Sequence, residues 1–121
     1  MRYVALIYFD PKDVFNDSPE AKAVLAAIGP YDEMLRAGGH AIQGQPLGMP
    51  HEAKTVRKRG GKQLVKDGPF TETKEVIAGF IILEAADMDE AVRLAGDHPF
   101  ASVGAIEVRT IPDFSQPRPV L

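Results

Sequence analysis

Two stretches, RYVALIYF at residues 2–9 and VIAGFIILEA at residues 76–85, restrict the possible folds of this chain more than any other feature. Successive side chains of a β-strand point to opposite faces of its sheet. In the first stretch Tyr3, Ala5, Ile7 and Phe9 share one face, and Val4, Leu6 and Tyr8 share the other. In the second, Ile77, Ile81 and Leu83 fall on one side, with Ala78, Phe80 and Ile82 opposite. Both strands are therefore apolar on both faces. Only two helical segments accompany them, and two helices cover one face of a sheet. The uncovered face would expose an apolar patch of a size rarely left bare on a monomer. A second copy packed sheet to sheet solves this, so a homodimer through the sheet faces is expected.

The first helical segment opens at Ser18-Pro19-Glu20, with serine as N-cap, proline at the first helical position and an acid near the positive dipole end. Val24, Ile28, Tyr31 and Leu35 then recur as one buried stripe, and Gly38-Gly39 ends the run. Gly29-Pro30 lies inside it. An interior proline costs about 3 kcal/mol, so a kink or break is expected there. Asp87-Met88-Asp89-Glu90 has the pattern of a capping box and starts a second helix that runs to about Gly96, with Pro99 limiting its extension.

A weaker strand signal covers 40–47, and the alternating run AIEVRTI at 105–111 makes a last strand. Between 54 and 66, two strand-like runs flank Gly60-Gly61, a two-residue loop suited to a β-hairpin. The order is β-α-β-(hairpin)-β-α-β, which points to an α+β fold, a ferredoxin-like sandwich with an inserted β-hairpin. Residues 1–111 form a single domain in this reading, and 112–121 form a Pro-rich tail.

Several function classes lack the residues they need. The chain has no cysteine among its 121 residues, which removes disulfides, thiolate metal sites and a cysteine nucleophile. His40, His51 and His98 match no metal-binding spacing. No Gly-rich phosphate loop occurs, so neither a metal nor a nucleotide cofactor is expected. FASVG around Ser102 lacks the first glycine of a hydrolase elbow. A net charge of −3 argues against nucleic acid as a partner. The basic hairpin KTVRKRGGKQLVK holds six of the fourteen cations but no aromatic residue for base stacking, and charged edge strands guard against aggregation. No run approaches the roughly 18 apolar residues of a membrane span. MRYVALIYFD reads as a strand, not a signal peptide, so the cytoplasm is the expected location.

The nine residues DGPFTETKE, 67–75, combine a turn-forming Gly-Pro pair, two hydroxyls and four charges. Asp usually accepts the N–H two residues on, but here that residue is Pro69, which has none. Asp67 is left to find the amides of Phe70 or Thr71, or Lys74, or a ligand. Gly68 is expected to be extended before the proline. Phe70 is expected to plug the core, and Thr71 to cap a short turn over 72–74. The stretch is either a rigid corner or a wall of the cleft beside the sheet.

DGPFTETKE, followed by IAGFIILEAADMDEAVRLA and HPFASVGAIEVR, resembles the DGPF-type branch of the YCII-related proteins, as do RYVALIYFD and AGGHAIQGQPLG. The resemblance covers roughly residues 1–111. It implies a dimeric α+β barrel, which agrees with the two apolar faces. It also implies either a small metal-free enzyme of lyase or hydrolase type acting on ring compounds, or a non-catalytic accessory or sensor module beside an extracytoplasmic-function sigma factor. Whether the chain is an enzyme stays open.

The YCII family is associated with a histidine after a proline in the first helix and an aspartate before a proline after the second. Aligned on those prolines, this chain places Asp32 and His98 there, with the two residue types exchanged. As a catalytic pair, His98 would be the base or acid and Asp32 its orienter. His98 also has a plain explanation, a cationic side chain at a helix C-terminus. Tyr8, Asp67, Thr71 and Lys74 are the candidate ligand contacts.

Overall fold

The computed structural model describes residues 1–113 and 115; the remaining positions of the expected tail, 114 and 116–121, lie outside the described residues. Among the described residues there are six strands, four helices and two 3-10 turns. The strands are β1 (Arg2–Phe9), β2 (Ala41–Pro46), β3 (Lys54–Arg59), β4 (Lys62–Asp67), β5 (Val76–Glu84) and β6 (Ala105–Thr110). The helices are α1 (Pro11–Val14), α2 (Pro19–Ala26), α3 (Ile28–Ala37) and α4 (Met88–Gly96). The fold is mixed α+β. A four-stranded antiparallel sheet runs β2-β5-β1-β6, and β3-β4 form a second sheet of their own.

The two doubly apolar strands lie side by side at the centre, with Val4 opposite Ile82 and Ala5 opposite Ile81. On the helix side Tyr3, Ala5, Ile7, Phe9, Ile81 and Leu83 are buried against Val14, Tyr31, Leu35, Ala91 and Leu94. On the other side Val4, Leu6, Tyr8, Phe80 and Ile82 are only half-buried. The periodicity failed at one point. A register shift between Ile7 and Tyr8 pairs Ile7 with Gly79 and Tyr8 with Ile77, leaving Ala78 as the extra residue. Ala78 therefore turns inward and Ile77, 43% exposed, turns outward, the reverse of the simple alternation.

The first helical segment does break, but at Ala27, just before Gly29-Pro30. Pro30 thus lies in the first turn of α3, where a missing N–H breaks no helical bond. At the other end of α3 the His40 amide donates to Leu35 O and the Gly39 amide to Arg36 O, the pair of bonds that closes a Schellman cap. Asp87 caps α4 by accepting from the Glu90 amide, while the Glu90 carboxylate reaches back to the amide of Ala86. The short α1, capped by Asp10, was not foreseen.

Candidate functional site

The site follows from what the sheet lacks. On the helix side of the β2–β5 edge, Ala41 pairs with Leu83, Gly44 with Ile81, and Pro46 with Gly79. These small residues leave the space beneath α3 unfilled. A cavity of about 500 Å³ results, with Ile28, Leu35 and Phe100 among its apolar walls. Asp32 lies one helical turn beyond Ile28 on α3, and both line the cavity, as does Arg36. His98 enters from the opposite side of the chain, ten residues' worth of helix α4 and its cap having carried it there.

His98 is only 5% exposed. Its ring lies edge-on to Tyr31 at 4.8 Å and stacked on Phe100 at 5.4 Å. The Phe100 amide donates to Nδ1 at 3.0 Å, so Nδ1 is the acceptor and the neutral ring carries its proton on Nε2. No described residue accepts from Nε2, and among the described residues no fully buried side-chain nitrogen or oxygen lacks a partner. His98 is among the residues that line the cavity. Burial holds the His98 pKa below 6.5, and the charge of Asp32 acts in the opposite direction. The cationic side chain at a helix terminus is thus corrected: His98 is the neutral cap of the 3-10 turn over residues 99–102.

Asp32 and His98 line one cavity but are joined by no hydrogen bond or ion pair. The group that orients the imidazole is the backbone of Phe100, not Asp32. Tyr31, beside them, donates its hydroxyl to Leu94 O at 2.7 Å, and burial pushes its pKa up to about 12.

The other candidates are elsewhere. Tyr8 lies on the open face of the sheet and donates to Glu107 at 3.3 Å, which in turn pairs with Arg109. Asp67 pairs with Lys54, directly opposite it in the β3–β4 ladder, at 2.5 Å rather than with Lys74. Gly68 is not extended but has φ +106°, because the restriction before proline acts largely through a Cβ that glycine lacks. Phe70 does not plug the core: it is 73% exposed, with the Arg57 guanidinium 4.8 Å above its ring. Residues 71–75 form bends without a helical turn; Thr73 donates to Glu75 O, and Thr71 and Lys74 are exposed. Thr71 lines a separate depression of about 300 Å³ with Pro50, His51 and Pro69. None of these four candidates lines the cavity beneath α3.

The cavity's makers went unnoticed in the sequence, although a signal existed. Glycine inside a strand marks close approach or missing packing, and Gly44 and Gly79 sit in facing strands. Among the described residues no cluster of three or more His, Asp or Glu side chains could hold a metal ion. No described helix is long and apolar enough to cross a membrane.

Known proteins resemble this chain in fold and in sequence. The 5-chloro-2-hydroxyhydroquinone dehydrochlorinase of Burkholderia phenoliruptrix, solved with 2,5-dihydroxybenzoquinone, has a similar fold: TM-score 0.54 at 22% identity, over 93% of this chain and 94% of that one. An uncharacterized protein of Rhizobium meliloti is 44% identical over 61 residues, a match spanning 49% of this chain and 49% of that relative, about half the length of each. The profile of the YCII-related domain matches residues 1–115, and the chain belongs to the YCII-related family.

Proposed function

We propose that this chain is a DGPF-type member of the family, a cytoplasmic homodimer that binds one small organic molecule per subunit in the cavity beneath α3. Metal-free acid–base chemistry of lyase or hydrolase type, carried by Asp32 and His98, is the activity the geometry supports best. The observation that carries this reading is a cavity of about 500 Å³, within the range of ligand pockets, on which one carboxylate and one imidazole converge from separate elements. The lyase activity of the fold neighbour and the ring compound bound to it support the same scale of ligand.

The strand order β2-β5-β1-β6, with helices on one face, supports the ferredoxin-like arrangement. The half-buried row Val4, Leu6, Phe80 and Ile82 supports sheet-to-sheet pairing into a dimeric α+β barrel. A second reading, an accessory or sensor module beside an extracytoplasmic-function sigma factor, draws support from the separate β3–β4 sheet. There Arg57, Lys58, Lys62 and Lys66 have no carboxylate partner among the described residues.

Calorimetric titration with 2,5-dihydroxybenzoquinone tests the pocket. One site per subunit is expected, abolished by Gly44→Leu, whose side chain would fill the cavity. Binding untouched by that substitution would move the site elsewhere. Sedimentation of Ile82→Asp tests the dimer, and an unchanged mass would end that part of the reading.

A further inference from the structure

The orientation of His98 restricts what the cavity can do. Nδ1 is occupied by the Phe100 amide, so the ring's remaining nitrogen, Nε2, offers a proton rather than a lone pair. For His98 to act as a base from Nε2, the proton would have to leave that nitrogen and the Phe100 amide would have to release the other. The carboxylate of Asp32, on the facing helix, has only acceptor atoms when ionised. One wall therefore donates a hydrogen bond and the other accepts a proton.

We infer that the cavity takes an enolisable ring carbonyl compound, with His98 Nε2–H donating to the carbonyl oxygen and Asp32 removing the proton on the neighbouring carbon. This inference rests on the pocket reading above and deepens it. The roles are the reverse of an imidazole base oriented by a carboxylate.

The step balances without any co-reactant. Asp32 takes H⁺ from the C–H bond, whose electron pair becomes the new C=C bond. The carbonyl π pair moves to oxygen, and the resulting oxyanion is held by Nε2–H. The intermediate then accepts the proton back at carbon or oxygen, or expels a leaving group from the adjacent carbon as its anion, with the proton from Asp32 released to water. A neutral imidazole stabilises an enolate without competing for the proton, and it costs no reorganisation when already fixed. Tyr31 and Phe100 fix it here. Ile28, Leu35 and Phe100 supply apolar walls against the ring carbons.

The test uses cyclohexanone in deuterated water, following loss of its α-hydrogens by proton NMR, with methyl spectra of Ile28 and Leu35 as an independent report of binding. The wild-type chain is expected to accelerate exchange above the buffer rate. Asp32→Asn is expected to lower it about 100-fold or more. His98→Gln, which keeps an N–H donor but is no base, should stay within about tenfold of wild type, whereas His98→Leu should lose about 100-fold. Unperturbed methyl spectra outside residues 98–100 check that each variant is folded.

If His98→Gln is as inactive as His98→Leu while Asp32→Asn retains its rate, the histidine is the base and the inference is overturned. If cyclohexanone shifts the methyl signals but no variant or wild type exchanges faster than buffer, the inference is wrong and the pocket stands. If no shift occurs at saturating concentration, pocket and inference fall together.

Discussion

The four-stranded sheet and the β3–β4 ribbon use the same antiparallel hydrogen-bond ladder and are stabilised in different ways. In the larger sheet the central strands bury one full face against helices, and Leu83 has no exposed surface at all. In the ribbon Val56 and Val65 pair directly across the strands, yet both are exposed. A two-stranded ribbon is marginal by itself in water. What holds this one is a clasp at its base. The Gly68 amide donates to Ala53 O at 2.7 Å, Thr55 donates to Gly68 O at 2.9 Å, Lys54 pairs with Asp67, and Arg57 covers Phe70. The Asp-Gly-Pro-Phe stretch fastens a ribbon that has no core of its own.

The largest effect should come from the sheet. Leu83→Ala is expected to cost about 3–5 kcal/mol by urea unfolding. A loss below about 1 kcal/mol would mean that the contrast between the two regions is overstated.

Next come the buried titratable groups, which only the larger region has. Tyr31 is raised from 10.0 to about 12 in the fold, so its neutral form is favoured there. Its stabilising contribution is present in full below pH 10 and is lost as the pH rises from 10 toward about 12. His98 is shifted downward from 6.5, so the fold favours its neutral form too. That contribution is complete above pH 6.5 and declines as the pH falls from there through the lower value of the folded state. Tyr31→Phe should flatten the alkaline limb at a cost of about 1 kcal/mol at neutral pH, and His98→Gln should flatten the acid limb. Denaturation midpoints across the pH range check both signs.

The smallest effects belong to the ribbon. Val65→Thr should change global stability by less than about 0.5 kcal/mol. Thr55→Val should speed amide exchange within 54–67 and leave exchange in β1 and β5 unaltered, because it opens the clasp and not the core. Faster exchange in β1 would show that the two sheets unfold as one.

Much of the framework was readable in the residues because it rests on local rules. Gly60-Gly61 set the hairpin turn, Ser18 and Asp87 set two helix starts, and two-sided apolarity set the central strands. What escaped depended on distance in the chain. Ala78 and Ile77 exchanged faces because a register shift is decided by pairing with β1, not by their own alternation. Phe70 looked like core and is not, since the corner at Gly68 turns it toward Arg57. Asp32 and His98 were singled out by position relative to prolines, and both line the cavity. The tautomer of His98 could not be read, because it is set by the fold of the backbone at Phe100.

Gly44 and Gly79 face the cavity from neighbouring strands but differ in what they tolerate. A Cβ at Gly79 would come within 2.8 Å of Gln45 O, whereas one at Gly44 would meet nothing nearer than 3.4 Å. One position is locked by strand contact and the other is adjustable. A side chain can therefore be added at the adjustable position, changing the volume of the cavity, without disturbing Asp32, His98, the helix above them or the seam between the strands.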